Sequence, residues 1–313
     1  MIEAYLTIDF FIGHLFAVDK DVVVESSKKG KTRIQTQKPT LVTPITRQHD
    51  KPKQRFVQPE RPYLHSLGIT AENGTVTKQG QAKYKQIDKY IEILHHLMAE
   101  VELPSPLKIA DMGSGKGYLT FALYDYLTNV QQRQVVLQGI ELRPQLVELC
   151  NQIAQALSFD DLSFSAQDIN DFSASNLDLL IALHACDTAT DVAIAKGIHA
   201  NAKIIVCAPC CHKQIRQQMK GSLNLQPILK HGILEERQAE ILTDGIRALL
   251  LEAHGYATKV FEFISTEHTG KNLMIVGIQQ HRPNPKALEQ VNILKQQFGI
   301  EFHYLERLLE ATV

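Results

Sequence analysis

The chain has 313 residues, 33 Lys and Arg against 34 Asp and Glu, a formal net charge of −1 and 44% hydrophobic residues. That suits one large or two modest globular domains, and no apolar run approaches the roughly 20 residues of a membrane span. Acids within Met1–Phe10 interrupt the apolar core that a secretory signal needs, and five cysteines, an odd count clustered mid-chain, suit reduced thiols, so an unexported, cytoplasmic protein is expected.

From Ile2 to about Arg47 apolar and polar residues alternate, as in Asp21–Glu25 and Lys31–Thr36, with breaks at Lys28-Lys29-Gly30 and Pro39. The pattern predicts a small antiparallel sheet with hairpins, and residues 1–60 read as a β-rich N-terminal region. This region is also basic. Lys28, Lys29, Lys31, Arg33, Lys38, Arg47, Lys51, Lys53 and Arg55 crowd a stretch in which Asp50 is the only acid. Clustered bases beside a catalytic domain suit a phosphate backbone, so RNA is the partner this zone suggests; the plainer alternative is a solvated hairpin face. Residues 61–105 read as a connector followed by a helix from about Gln81 to Glu100, with Tyr84, Ile87, Ile91, Leu94 and Met98 on one apolar face.

From Pro106 to Gln280 strands and helices alternate, the grammar of a doubly wound α/β domain. Leu107–Ala110 is apolar, Asp111-Met-Gly-Ser-Gly-Lys-Gly117 follows, and Tyr118–Leu127 reads as a helix. Glycines at alternate positions let the backbone pass close to a ligand, beside the unpaired N–H groups of the next helix. A dinucleotide fingerprint would need its third glycine at Tyr118. Instead, Gly113, Gly115 and Gly117 alternate after Asp111, and this D-x-G-x-G-x-G pattern resembles motif I of the class I S-adenosylmethionine-dependent methyltransferases. The resemblance implies a seven-stranded Rossmann-like sheet with its last strand antiparallel, and S-adenosylmethionine as cofactor, held by Asp111, Gly113, Gly115 and Gly117.

The next strand, Gln134–Ile140, ends on Glu141. Ligands of parallel sheets lie beyond the carboxyl ends of the strands, so Glu141 is a candidate acceptor for both ribose hydroxyls. Pro144 opens a helix to Leu157, with Leu146, Leu149, Cys150 and Ile153 at helical spacing. Leu162–Ser165 is a short strand. After it, the resemblance implies that Asp168 meets the adenine amino group and that Ile169 offers a backbone N–H to a ring nitrogen; Asp168 also reads as a helix cap.

Leu177–Leu183 is an apolar strand that delivers His184-Ala-Cys-Asp187, and Lys203–Cys207 delivers Ala208-Pro-Cys-Cys-His212. In the class resembled, the end of the fourth strand faces the sulfonium methyl. His184, which is also a cofactor contact, and Asp187 are therefore the groups expected to orient or deprotonate an acceptor, with Cys210 and His212 as further catalytic candidates. A third marker, Ser265–Ile275, joins the sixth and seventh strands. Together L-H-A-C-D-T-A-T-D, A-P-C-C-H and E-H-T-x-K-N-x-M-I resemble the methyltransferase-32 type. That type occurs in bacterial proteins, in glutathione-S-transferase-C-terminal-domain-containing proteins and, more distantly, in tRNA 2′-O-methyltransferases. The likeness runs from about His49 to Gln280 and takes in His49–Arg55, Pro62–Gly68 and Lys83–Ile87. Its members share no single acceptor, so no substrate carries over.

Cys207-x-x-Cys210-Cys211-His212, with Cys186, has the ligand types for zinc. Cys207 belongs inside a buried strand, however, and adjacent Cys210 and Cys211 do not readily face one ion, so no metal is expected. Pro209-Cys210 is similar to the nucleophile of cytosine-C5 methyltransferases but follows the fifth strand rather than the fourth. Cysteines packed beside the cofactor are preferred. Residues 281–313 read as two short helices joined at Gly299, with Leu294, Phe298, Leu305 and Leu308 packing. The resulting expectation is an S-adenosylmethionine-dependent methyltransferase acting on RNA. A small-molecule or protein acceptor and a non-catalytic cofactor-binding scaffold are the alternatives.

Overall fold

The computed structural model describes residues 10–27, 30–40, 55–173, 176–183, 185, 187–219, 225–263 and 272–311. The chain divides into two compact units, Met1–Gln54 and Arg55–Val313. In the first, β1 (Ile12–Phe16), β2 (Asp21–Ser26) and β3 (Thr32–Gln37) form an antiparallel sheet in that order. Alternation along β2 buries Asp21 and Val23. Ile12, Leu15, Phe16 and Ile34 stay exposed. Of the basic zone, Lys31, Arg33 and Lys38 are exposed on or beside β3, while Lys28, Lys29, Arg47, Lys51 and Lys53 lie outside the described residues.

The second unit begins at Arg55, ahead of the boundary expected at residue 61, because the connector is anchored to the long helix. Buried Asp88 accepts the backbone N–H groups of Phe56 (2.9 Å) and Val57 (3.2 Å), and the Tyr84 hydroxyl donates to the Val57 carbonyl at 2.6 Å. After α1 (Pro62–Ser66) and α2 (Gln81–Ala99) come β4 (Leu107–Met112) and α3 (Tyr118–Asp125), which runs into a π-helical turn at Tyr126–Val130. Next are β5 (Val135–Glu141), α4 (Pro144–Ala156), β6 (Leu162–Ala166), β7 (Leu179–Ala182), α5 (Thr188–His199) and β8 (Ile204–Cys207). The chain continues through α6 (Lys213–Gln218), α7 (Gln226–Leu229), α8 (Gly232–Ala253), β9 (Tyr256–Glu262) and β10 (Leu273–Gln279). It ends with α9 (Pro285–Phe298) and α10 (Tyr304–Glu310).

The sheet order is β6-β5-β4-β7-β8-β10-β9, parallel through β8, with β10 antiparallel to both its neighbours. Both faces are covered, so successive strand residues enter two separate cores. Leu107, Ile109, Leu179, Ile181, Ile204 and Val206 join one, with residues of α2, α3 and α4. Ala110, Met112, Leu180, Ala182, Ile205 and Cys207 join the other, with residues of α5, α8, α9 and α10. The expected face of α2 is buried in full. On α4 the buried stripe is Val147, Cys150, Ile153 and Ala154, and Leu149 is exposed. Cys150 and Ile153 belong to both the expected and the observed stripe, and beside them the Asn151 amide bonds the N–H and C=O of Phe164 on the next strand, both at 2.9 Å. Leu305 is buried, and Leu294, Phe298 and Leu308 pack against the second core.

Candidate active site

A cavity of about 600 Å³ opens beyond the carboxyl ends of β4, β5 and β6, and the loop after β4 forms one wall. The N–H groups of Gly113 and Ser114 both donate to the Ile140 carbonyl (2.8 and 3.0 Å), which ties the loop across to β5. Gly113, Gly115 and Gly117 have φ of 78°, 58° and 69°, a region that side chains rarely adopt. Their surroundings differ. A Cβ on Gly115 would meet nothing nearer than Arg143 Nη2 at 3.9 Å, so this position is open to a ligand. On Gly117 it would meet the Phe121 ring at 3.0 Å and Phe164 at 3.2 Å. Gly117 is thus a packing glycine beneath the loop and lies outside the cavity wall, whereas Gly113 and Gly115 line it.

Glu141, at the end of β5, is buried and lines the same cavity. Its Oε2 accepts the Gly115 N–H at 2.9 Å, and its Oε1 accepts the Arg143 N–H (3.1 Å) and Nε (2.8 Å). Burial pushes its carboxyl up, but the hydrogen bonds from Arg143 and Gly115 outweigh this and hold it below its ordinary value. Asp111 is the opposite case. Buried at the end of β4, with a hydrogen bond from Thr120 Oγ1 at 2.6 Å, its carboxyl is pushed up by desolvation to about 6. The Ser114 hydroxyl is buried in the loop and has no hydrogen-bond partner among the described residues. Asp168 follows β6, and its Oδ1 accepts the Asn170 N–H (2.8 Å) and amide Nδ2 (2.7 Å), which hold its carboxyl below the usual range. Asp168 and Ile169 both line the cavity. Donors, acceptors and an open glycine cradle of this kind fit a nucleoside joined to an amino acid.

Beyond β7 the arrangement differs from expectation. His184 and Cys186 lie outside the described residues. Asp187 stands at φ 52°, and its Oδ1 accepts the Gln214 N–H in the first turn of α6 at 3.3 Å; its neighbours Thr188 and Ala189, rather than Asp187 itself, line the cavity. His212, expected among the catalytic groups, does not line this cavity. It is buried with Nε2 bonded to Asp244 Oδ2 of α8 at 3.1 Å, and it lines a separate cavity of about 540 Å³ with Cys211 and Arg216. Asp244 also binds Arg247, a fully buried guanidinium that donates to Asp191 Oδ1 (2.8 Å), Asp244 Oδ1 (3.0 Å) and the Asp187 carbonyl (3.0 Å). Burial opposes its charge, yet the two carboxylates raise its pKa above the ordinary value. Hydropathy treats Arg247 as a surface residue, so sequence reading missed this network. Cys210 is half-buried with its Sγ 3.7 Å from that of Cys211, and neither lines the cavity beyond β4, β5 and β6. Cys207 is enclosed in β8, where burial pushes its thiol up to about 12. Among the described residues, no three potential ligands converge as a metal site. Lys83, Arg143 and Tyr304 also line the cavity; sequence reading did not assign them to it, since Lys83 and Tyr304 come from α2 and α10, remote in the chain.

Residues 82–218 match a family described as a methyltransferase domain. Over that segment, which is less than half of the chain, the sequence is similar to a methyltransferase domain, and it lies in the unit that carries the mixed seven-stranded sheet. A glutathione S-transferase C-terminal domain-containing protein of Bos taurus is 26% identical over 195 residues, covering 55% of this chain and 30% of the relative's own length. Among solved structures, magnesium protoporphyrin IX methyltransferase from Synechocystis PCC 6803 with bound SAH is similar at 15% identity and a TM-score of 0.42, over 66% of this chain and 89% of that one. An rRNA methylase from Streptococcus thermophilus is similar at 12% identity and a TM-score of 0.39, over 61% and 96% of the two chains. Among the described residues, no helix is long and apolar enough to cross a membrane.

Proposed function

We propose that this protein transfers the methyl group of S-adenosylmethionine to RNA. The observation that carries the reading is one cavity lined by Asp111, Gly113, Gly115, Glu141, Asp168 and Ile169 at the carboxyl ends of neighbouring strands. In this reading Glu141 accepts the ribose hydroxyls, Asp168 meets the adenine amino group, the Ile169 N–H meets a ring nitrogen, and Asp111 holds the ammonium of the amino-acid part. When bound, the cofactor supplies an electrophilic methyl on sulfur. The chain's part is alignment, with His184, which follows β7 in the chain, orienting the acceptor or taking its proton, and Asp187 holding the start of α6 through the Gln214 N–H. Arg247 is a positioning residue, because it holds the Asp187 carbonyl and anchors α5 through Asp191. The RNA part is supported by the run of bases from Lys28 to Arg55, where each neutralised phosphate adds salt-dependent affinity.

Incubation with methyl-labelled cofactor and total cellular RNA, with and without nuclease treatment, tests the acceptor. Label in polynucleotide that nuclease releases is expected. Label recovered only in protein or in small molecules would move the acceptor to that class, and the basic sheet would then be scaffold.

A further inference from the structure

Lys83, the third residue of α2, is half-buried in the cavity wall. Its Nζ lies 5.2 Å from the centroid of the Tyr118 ring and donates to Gln86 Oε1 at 2.9 Å. Among the described residues no carboxylate pairs with it, and desolvation pushes its ammonium below the usual range. The location adds to the imbalance. The first turn of α2 contains no acid, and a helix N-terminus already carries positive partial charge, so a cation there is disfavoured unless an anion joins it. The Tyr118 face offsets only part of this. Tyr118 directly follows Gly117, so the ammonium stands at the glycine-loop end of the cavity, whose lining also includes buried Asp111. One desolvated cation and one buried acid are charge-complementary to a zwitterion.

We infer that Lys83 binds the α-carboxylate of the amino-acid part of S-adenosylmethionine. The inference rests on reading the cavity as the cofactor site, and it gives α2, which precedes the glycine loop in the chain, a direct part in cofactor selection. A charge-assisted hydrogen bond of this kind is strong enough to measure when removed.

Calorimetry on the full chain with two ligands tests it: S-adenosylmethionine, and its decarboxylated analogue, which keeps the nucleoside, sulfonium and amine but lacks the carboxylate. Lys83→Met is expected to lose roughly 10- to 100-fold in affinity for S-adenosylmethionine, while binding of the analogue stays within about twofold of the parent. Lys83→Arg is expected to recover most of the loss. Unchanged affinity for S-adenosylmethionine in Lys83→Met, or equal losses for both ligands, would overturn the assignment while leaving the cofactor reading intact. A parent protein that binds neither ligand would overturn both.

Discussion

Glu141 and Asp111 show how one cavity gives two carboxylates opposite electrostatic states. Glu141 is stabilised as an anion by Arg143 and the Gly115 N–H, so it is a ready acceptor for hydroxyl groups. Glu141→Ala is expected to cost roughly 1.5–3 kcal/mol in the binding of S-adenosylhomocysteine, measured by calorimetry; an unchanged affinity would remove the ribose assignment. Asp111 instead carries a charge that burial disfavours, with a folded pKa of about 6 against an ordinary 3.8. Its ionised form therefore costs stability above about pH 6, and that cost is relieved as pH falls through 6 towards 3.8. A bound ammonium reverses the preference by favouring the carboxylate. Affinity for S-adenosylhomocysteine is accordingly expected to rise with pH up to about 6 and level off above it. Asp111→Asn should flatten this dependence; a parent profile already flat across that range would show that Asp111 makes no contact with the ammonium.

At the scale of elements, what is legible in the sequence is what the chain encodes by local periodicity. The alternation in Asp21–Glu25 and Lys31–Thr36 corresponds to β2 and β3, and the apolar face read along α2 is buried residue for residue. On α4, Cys150 and Ile153 are buried as expected, but Val147 rather than Leu149 joins them, since both are apolar and only tertiary packing decides which of them meets the sheet. Tyr126–Val130 looks like a continuation of α3 in its pattern, and nothing local marks its widening into a π-helical turn. On β3 and just before it, the exposed Arg33 and Lys31 give the RNA proposal its test. Replacing Lys28, Lys29, Lys31 and Arg33 by Ser is expected to weaken RNA binding and to lower the log–log salt slope by roughly 0.7 for each single-strand phosphate no longer neutralised. Binding of S-adenosylhomocysteine should not change. A salt slope equal to the parent's would assign these bases to solvent.

Across the whole molecule, the site divides into a part written in consecutive residues and a part assembled by folding. Asp111 to Gly117, Glu141, and Asp168 with Ile169 each end a strand or follow one, so a sequence motif and a strand end coincide there and the cavity could be anticipated. Lys83 and Tyr304 reach the cavity only because α2 and α10 pack on the domain, and the Arg247 network joins residues 56 positions apart in a setting where a guanidinium is not normally found. All of these groups lie in the unit from Arg55 onward, which has its own two cores and whose first residues are held by Asp88 and Tyr84. Cofactor binding and the proposed RNA contacts should therefore be separable by a single cut. A chain starting at Arg55 is expected to fold cooperatively and bind S-adenosylhomocysteine within about twofold of full-length affinity. It should also lose most of its RNA affinity, since all but one of the nine clustered bases are removed. Calorimetry and filter binding on the two chains make the comparison. Full RNA affinity in the shortened chain would move the polynucleotide site onto the methyltransferase unit, and loss of S-adenosylhomocysteine binding in a folded shortened chain would show that residues before Arg55 help to build the cofactor site.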